Sequence, residues 1–100
     1  MNNVIAILLE QIVKDLEITR HKYGGYAYVR TIRNILIGKE DAVIAPHFKE
    51  QYYHGVISEL TLEETEKLLD SLVKEGKLQC IHTEHGKLYC TPEFYENRDC

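Results

Sequence analysis

The chain of 100 residues has no tryptophan, one methionine, two prolines and three cysteines, which are Cys80, Cys90 and Cys100. It contains no apolar run near the ~20 residues that a membrane-spanning helix requires. Its first residues lack the basic flank and the cleavage site of a signal peptide. Three cysteines cannot all pair within one chain, which favours free thiols in a reducing compartment. These absences together predict a cytoplasmic protein.

An excess of positive charge is also absent, since 12 Lys and Arg stand against 16 Asp and Glu, for a net charge of −4. Because phosphate contacts dominate affinity for nucleic acids, this balance disfavours such a partner for the molecule as a whole. The charge is uneven, however. Residues 1–58 hold seven basic and six acidic side chains (+1), whereas residues 59–100 hold five and ten (−5). A bound polyanion should therefore meet the first half of the chain.

The remaining composition is that of a single globular domain. The first half of the chain predicts two amphipathic helices. The first begins at a cap provided by Asn2 or Asn3 and ends near Ile18, and a pair of adjacent glycines then favours a turn. The second covers residues 27–37 and ends at Gly38. The predicted buried residues are Ile5, Leu8, Leu9, Ile12, Val13 and Leu16 in the first helix, and Val29, Ile32, Ile35 and Leu36 in the second.

The middle of the chain predicts a short extra helix. Pro46 suits the first turn of a helix that continues to about Tyr53 and ends at Gly55. Val56 and Ile57 are then expected to lie extended against the core.

A third main helix opens with a Thr-x-x-Glu capping box formed by Thr61 and Glu64, and it ends at Gly76. Leu62, Leu68, Leu69, Leu72 and Val73 form its predicted buried side. Its acidic residues are Glu59, Glu63, Glu64, Glu66 and Asp70. Several lie in the first turn, where the helix dipole favours negative charge, and they make this helix a poor candidate for insertion into a major groove.

Two strands, 78–82 and 87–91, are predicted around a turn centred near His85. This pairing puts one set of side chains on one face of the hairpin (Leu78, Cys80, His82, Leu88, Cys90) and a second set on the other (Gln79, Ile81, Tyr89, Thr91). The predicted fold class is α+β, mostly α. The order of elements is that of a winged helix-turn-helix domain over residues 1–93, with three main helices, a short extra helix, a C-terminal β-hairpin wing and a fraying tail, 94–100.

One candidate binding surface lies beside the second helix. Tyr26, Arg30 and Arg33 are spaced i, i+4 and i+7 and should project together, and Lys39 extends the patch into the next loop. Two guanidinium groups and an aromatic ring can grip phosphates and stack on a sugar or base. The alternative is an ordinary solvated face whose arginine stems cover apolar surface.

Cys80, His82, His85 and Cys90 superficially suggest a zinc site. Two cysteines facing each other across a ribbon suit core packing better, and a cross-strand disulfide is the third alternative. His21, His47 and His54 have no partner at a recognisable ligand spacing, and no phosphate-binding loop or activated nucleophile is present. We therefore expect no metal, no cofactor and no enzymatic activity.

The order of these residues resembles a specific family, the RQC domain, which is the winged-helix module of RecQ-family DNA helicases. The resemblance covers about residues 3–92. It is carried by Tyr23-Gly24-Gly25-Tyr26, by the helix that ends Ile35-Leu36-Ile37-Gly38, by His47 followed by Tyr53 and Gly55-Val56-Ile57, and by residues 68–78. His54 is an extra residue in the third of these segments, and the helicase motor and the zinc module of the family are absent.

The resemblance implies that the third helix is packed away while duplex DNA meets the second helix, its following loop and the hairpin. The implied contact residues are Tyr26, Arg30, Arg33, Lys39, His85 and Lys87. The family's strand-separating aromatic at the hairpin tip is replaced by Thr83-Glu84-His85-Gly86, so strand separation is not expected. The prediction is a free-standing, non-catalytic protein that binds duplex or branched DNA through its backbone. Such a protein would serve replication, repair or recombination, with a helicase or other repair protein as a possible partner, and would be nucleoid-associated if bacterial.

Two alternatives involve protein partners. The first is a winged-helix module that docks on another protein through Tyr52, Tyr53, Ile81 and Tyr89, because tyrosine is enriched at interfaces. The second is a dimeric regulator that associates through the long apolar first helix.

Overall fold

A computed structural model describes residues 2–97 of the chain, with side chains for residues 4–96. The molecule is mostly helical and carries a small two-stranded antiparallel sheet near its C-terminus. The elements in chain order are α1 (Asn2–Ile18), α2 (Arg20–Tyr23), α3 (Val29–Ile37), α4 (Pro46–Lys49), α5 (Leu62–Lys74), β1 (Gln79–Thr83), β2 (Gly86–Cys90) and α6 (Pro92–Asn97).

Helix α1 forms one wall of the core. Its predicted end at Ile18 is confirmed, and Leu9, Ile12, Val13 and Leu16 of the predicted stripe are fully buried. The side chains of Asn2 and Asn3, proposed as its cap, lie outside the part of the chain that is described. Burying such a stripe stabilises the fold by about 1.5–3 kcal/mol for each large side chain.

The start of the second helix was predicted wrongly. Helix α3 begins at Val29, because residues 26–28 form a non-helical segment that pairs with β2 instead and contains a tight turn, in which the Tyr28 N–H donates to the Tyr26 carbonyl (3.0 Å). Tyr89 donates its backbone N–H to the Ala27 carbonyl (3.0 Å), and Tyr28 forms an isolated antiparallel bridge with Leu88. This long-range pairing satisfies backbone groups that a longer helix would otherwise have used.

The loop after α3 is fixed by a close approach of two glycines. Gly38 ends α3 with a φ of 74°, and a Cβ added to it would lie 2.9 Å from the Cα of Gly55. Gly55 in turn donates its N–H to the Ile35 carbonyl (3.1 Å). Helix α4 is a single turn rather than the predicted helix to Tyr53. Val56, expected against the core, is 49% exposed.

Helix α5 confirms the predicted capping box. Thr61 Oγ1 accepts a hydrogen bond from the Glu64 N–H, and Glu64 Oε1 accepts one from the Thr61 N–H, both at 3.0 Å. These bonds lower the pKa of the Glu64 carboxyl. Leu69 and Leu72 are buried as expected, and Thr65 joins them by donating its hydroxyl to the Thr61 carbonyl.

The hairpin register differs by one residue from the prediction. Cys80 pairs with Tyr89 and Gln79 with Cys90, and the Thr83–Gly86 pair closes a two-residue turn. Neighbouring pairs occupy opposite faces of a ribbon, so Leu88 and Cys90 lie on the face opposite to Cys80. The predicted assignment of β2 side chains to faces was therefore wrong.

The C-terminal segment is helical where a fraying tail was predicted to begin. Thr91 donates its hydroxyl to Glu17 Oε1 (2.8 Å) and its N–H to Glu17 Oε2 (2.6 Å), while its Oγ1 accepts the Phe94 N–H (3.2 Å). These bonds anchor the start of α6 to α1. The rest of the predicted tail, residues 98–100 including Cys100, lies outside the described residues. Within the described part, no helix is both long and apolar enough to cross a membrane.

Candidate nucleic-acid interface

A cleft of about 370 Å³ separates the start of α3 from the turn of the hairpin. Arg30 and Tyr28 line one side, and His85 and Lys87 line the other. Glu66 from α5 closes the third side. Tyr28 gives the N-terminus of α3 no side-chain cap, and Val29 and Arg30 of the first turn line the cleft, where the positive end of the helix dipole favours negative charge.

Arg30 and Lys39 are the two predicted contacts that stay available to a phosphate. Both are exposed, and among the described residues neither has a carboxylate within ion-pair distance. Asp41 lies near both cations. Its pKa is lowered chiefly by the hydrogen bond from the Val43 N–H and then by Asn34, with smaller contributions from the two cations. The surface beside α3 is therefore positive at two points, with one carboxylate near them.

Arg33 is held in a structural role. Its Nε donates to Asn34 Oδ1 (2.9 Å) and its Nη1 donates to the Leu60 carbonyl (3.3 Å). It lines a separate groove beside Glu59 and Glu64, so its charge faces carboxylates rather than the cleft. The spacing i, i+3 puts Arg30 and Arg33 on adjacent positions of α3, but their surroundings differ.

Lys87 is neutralised by α5. Its Nζ donates to Glu66 Oε2 (3.0 Å) and to Asp70 Oδ2 (3.1 Å), and these two bonds raise the pKa of the ammonium group. His85, at the tip of the hairpin, is exposed, and its Nε2 lies 3.6 Å from Glu84 Oε1. Of the two predicted hairpin contacts, only His85 therefore stays exposed, with Glu84 beside it.

Tyr26 does not share a helix face with Arg30 and Arg33, because it precedes α3 in the non-helical segment 26–28. Its ring lies over the guanidinium of Arg20, with 4.5 Å between the ring centroid and the Arg20 Cζ. The Tyr28 ring is its neighbour on the other side of Ala27, at a centroid distance of 6.4 Å. Tyr26 is 49% exposed, so it lies at the surface as predicted. The prediction that it projects together with Arg30 and Arg33 was wrong.

Arg20 was missed by the sequence analysis. Its Nε donates to the Gly25 carbonyl (3.1 Å), and its guanidinium lies between the rings of Tyr26 and Phe94, with the Phe94 centroid 4.9 Å from Cζ. Its Nη2 is buried and has no hydrogen-bond acceptor among the described residues. No local pattern could have revealed this cluster, since Phe94 is distant in sequence and reaches Arg20 only through α6.

A second cluster unites α1 with the segment after α4. Asp15 accepts a hydrogen bond from the Tyr53 hydroxyl, and His47 Nε2 lies 3.3 Å from the same carboxylate oxygen. The His47 ring stacks on Tyr23 at 4.9 Å. Of the predicted protein-docking residues, Tyr53 and Tyr89 are buried and Ile81 packs against the core, so only Tyr52, at 68% exposure, is free to dock.

The cysteine and histidine pattern does not converge on a metal site. Cys80 and Cys90 lie on opposite faces of the ribbon and form no disulfide in the described part of the chain. Burial raises the pKa of the Cys80 thiol. No group of three or more potential ligands is assembled within residues 2–97.

Comparisons of the chain with protein-family models, with curated proteins and with solved structures give no match. The resemblance to the RQC domain therefore stays a prediction that depends on the residues named above. The cleft itself brings together an exposed guanidinium without an ion-pair partner, one imidazole and an uncapped helix end, all of them groups suited to an anion.

Proposed function

We propose that this protein is a non-catalytic winged-helix protein that binds duplex or branched DNA, mainly through phosphates. The observation that carries the proposal is the unpaired, exposed guanidinium of Arg30 in a cleft shared by α3 and the hairpin. The order of elements supports the winged-helix assignment: α1, the non-helical segment 26–28, α3, α5 and the hairpin. The bridge between Tyr28 and the hairpin supports it as well. A role in replication, repair or recombination is part of the same proposal, on the strength of the RQC resemblance.

The contact set is narrower than the six residues taken from the sequence. Arg30 and Lys39 supply the phosphate contacts, and His85 adds a third polar contact from the hairpin. Arg33 has a structural role because it donates to the Leu60 carbonyl, and Lys87 has one because it donates to Glu66 and Asp70 of α5. Both therefore contribute little free charge. Few side chains suited to reading base edges converge here, so sequence preference should be weak.

The test is fluorescence anisotropy with duplex, forked and four-way-junction DNA at low salt. Arg30→Glu with Lys39→Glu should remove binding, because both free cations become repulsive to phosphate. The matched control is Lys74→Glu with Lys22→Glu, two exposed lysines outside the proposed contact set that give the same change in net charge. If the control pair weakens binding as much as the test pair, the proposed contact set is not the DNA site.

The alternative, a protein-binding module or dimeric regulator, is supported by a different surface. Val4, Ile7 and Ile18 are exposed on the outer face of α1, opposite the stripe that fills the core. Exposed apolar side chains aligned on one helix are typical of a partner surface. A dimer detected by light scattering and lost in Ile7→Lys, together with no DNA binding at low salt, would favour this alternative.

A further inference from the structure

The non-helical segment 26–28 presents two tyrosines beside the cleft, and Arg20 contacts the ring of one of them. The guanidinium of Arg20 covers one face of the Tyr26 ring. Tyr26 as a whole residue is still 49% exposed, so the Arg20 contact leaves it at the surface. The backbone is fixed as well, since Ala27 and Tyr28 pair with β2.

The same segment is continuous with the cleft. Tyr28 lines the cleft together with Arg30, and its ring lies 6.4 Å from that of Tyr26. A strand that leaves the Arg30 phosphate contact in this direction reaches a half-exposed aromatic ring that Arg20 contacts. Proteins that bind single strands use such rings as stacking platforms, because every base has a flat apolar face.

We infer that Tyr26 stacks an unpaired base, so the preferred ligand is duplex DNA that carries a single-stranded extension at the cleft. The inference rests on the proposed function, since Arg30 must hold the adjoining phosphates. Arg20 is a positioning residue, because it contacts the ring rather than the DNA. Its contact orders the Tyr26 side chain before binding, which lowers the conformational entropy that Tyr26 loses when DNA binds.

The experiment compares a blunt duplex with the same duplex carrying a short oligothymidine overhang, by anisotropy at one salt concentration. The wild type should bind the overhang substrate about tenfold more tightly, within the range of one base–aromatic stack. Tyr26→Leu should lose this preference and keep the affinity for the blunt duplex. Tyr26→Phe, which retains the ring, should keep both.

The control is Tyr52→Leu, which removes an exposed tyrosine that lies outside the cleft, and it should change neither affinity. A fluorescent adenine analogue in the overhang gives a direct readout, because stacking on Tyr26 quenches it in the wild type and in Tyr26→Phe only. Circular dichroism checks that each variant is folded.

The outcomes separate the two proposals. Equal binding of blunt and overhang substrates by the wild type would overturn the stacking inference and leave the DNA-binding proposal intact. An overhang preference that survives in Tyr26→Leu would also overturn it. Absence of binding to either substrate would overturn the DNA-binding proposal and the inference with it.

Discussion

Tyr53 and Tyr89 each bury a phenol against a carboxylate. The Tyr53 hydroxyl donates to Asp15, and the Tyr89 hydroxyl donates to Asp70 Oδ1 (2.6 Å). Burial, and then the neighbouring carboxylate, raise the pKa of both hydroxyls far above the ordinary value. A phenolate beside a carboxylate in apolar surroundings is unfavourable, so the folded protein retains both protons.

We therefore predict a loss of stability at alkaline pH. An unfolded tyrosine ionises near pH ~10, whereas these two stay protonated in the folded chain, so their contribution is complete below that pH and declines above it. Each tyrosine adds a decline of about 1.4 kcal/mol per pH unit in the free energy of unfolding. Urea unfolding should be measured at pH values below and above that at which an unfolded tyrosine ionises. The free energy of unfolding should decline less steeply with pH in Tyr89→Phe than in the wild type.

The matched control for this titration is Tyr26→Phe, which alters a half-exposed tyrosine that is not among the groups acting on the pKa of Tyr53 or Tyr89. It should follow the wild-type pH dependence, because both buried phenols keep their surroundings. A decline that is unchanged in Tyr89→Phe would contradict the assignment of the effect to the buried phenol.

At the scale of elements, Gly38 follows helix α3 and Gly76 follows helix α5, and the two glycines share one backbone conformation. Their φ angles are 74° and 79°, in the left-handed region that side chains with a Cβ avoid. They differ in surroundings, since a Cβ on Gly38 would lie 2.9 Å from the Gly55 backbone and a Cβ on Gly76 would meet nothing within 4 Å. The first glycine is therefore needed for conformation and for space, and the second for conformation alone.

Gly38→Ala and Gly76→Ala consequently form a matched pair. Gly76→Ala should lower the free energy of unfolding by about 1–2 kcal/mol, the cost of a left-handed alanine. Gly38→Ala should cost a further 1–3 kcal/mol or so, because the Gly55 segment must move away. Urea unfolding measures both values, and equal losses would show that the segment moves without cost.

The elements also show which features local sequence determines. Helices α1 and α5 were predicted well, because apolar spacing and the Thr61–Glu64 capping box are local signals. The register of the hairpin was not, because Leu88, Tyr89 and Cys90 are consecutive apolar residues that suit either face. Tyr28 and Asp70, both distant in sequence, select the face of β2 by pairing with Leu88 and by accepting the Tyr89 hydroxyl.

At the scale of the whole molecule, the distribution of charge matters more for binding a polyanion than the net charge does. The candidate site was predicted from cations beside α3 and in the hairpin, but the carboxylates that hold the hairpin lysine belong to α5. Lys87 is held by Glu66 and Asp70 of α5, so the acidic half of the chain reduces the charge available to a polyanion. The sequence could locate the cations, and only the packing of α5 against the hairpin could show which were neutralised.

This charge balance predicts weak, salt-sensitive binding to DNA. Two free cations, Arg30 and Lys39, give an expected slope of about −1.8 for log affinity against log salt. Glu66→Gln removes one carboxylate from the cleft and loosens the hold on Lys87, so affinity should rise and the slope should approach about −2.7. Anisotropy across a salt series measures both quantities.

Glu63→Gln provides the control, because it makes the same change in net charge on α5 at an exposed position that does not line the cleft. A steeper slope in Glu66→Gln alone would mean that Lys87 has become a phosphate contact. If both variants raised affinity equally with unchanged slopes, the effect would come from the field of the whole acidic molecule. Lys87 would then have only a structural role, because Asp70 would still hold it after Glu66 is neutralised.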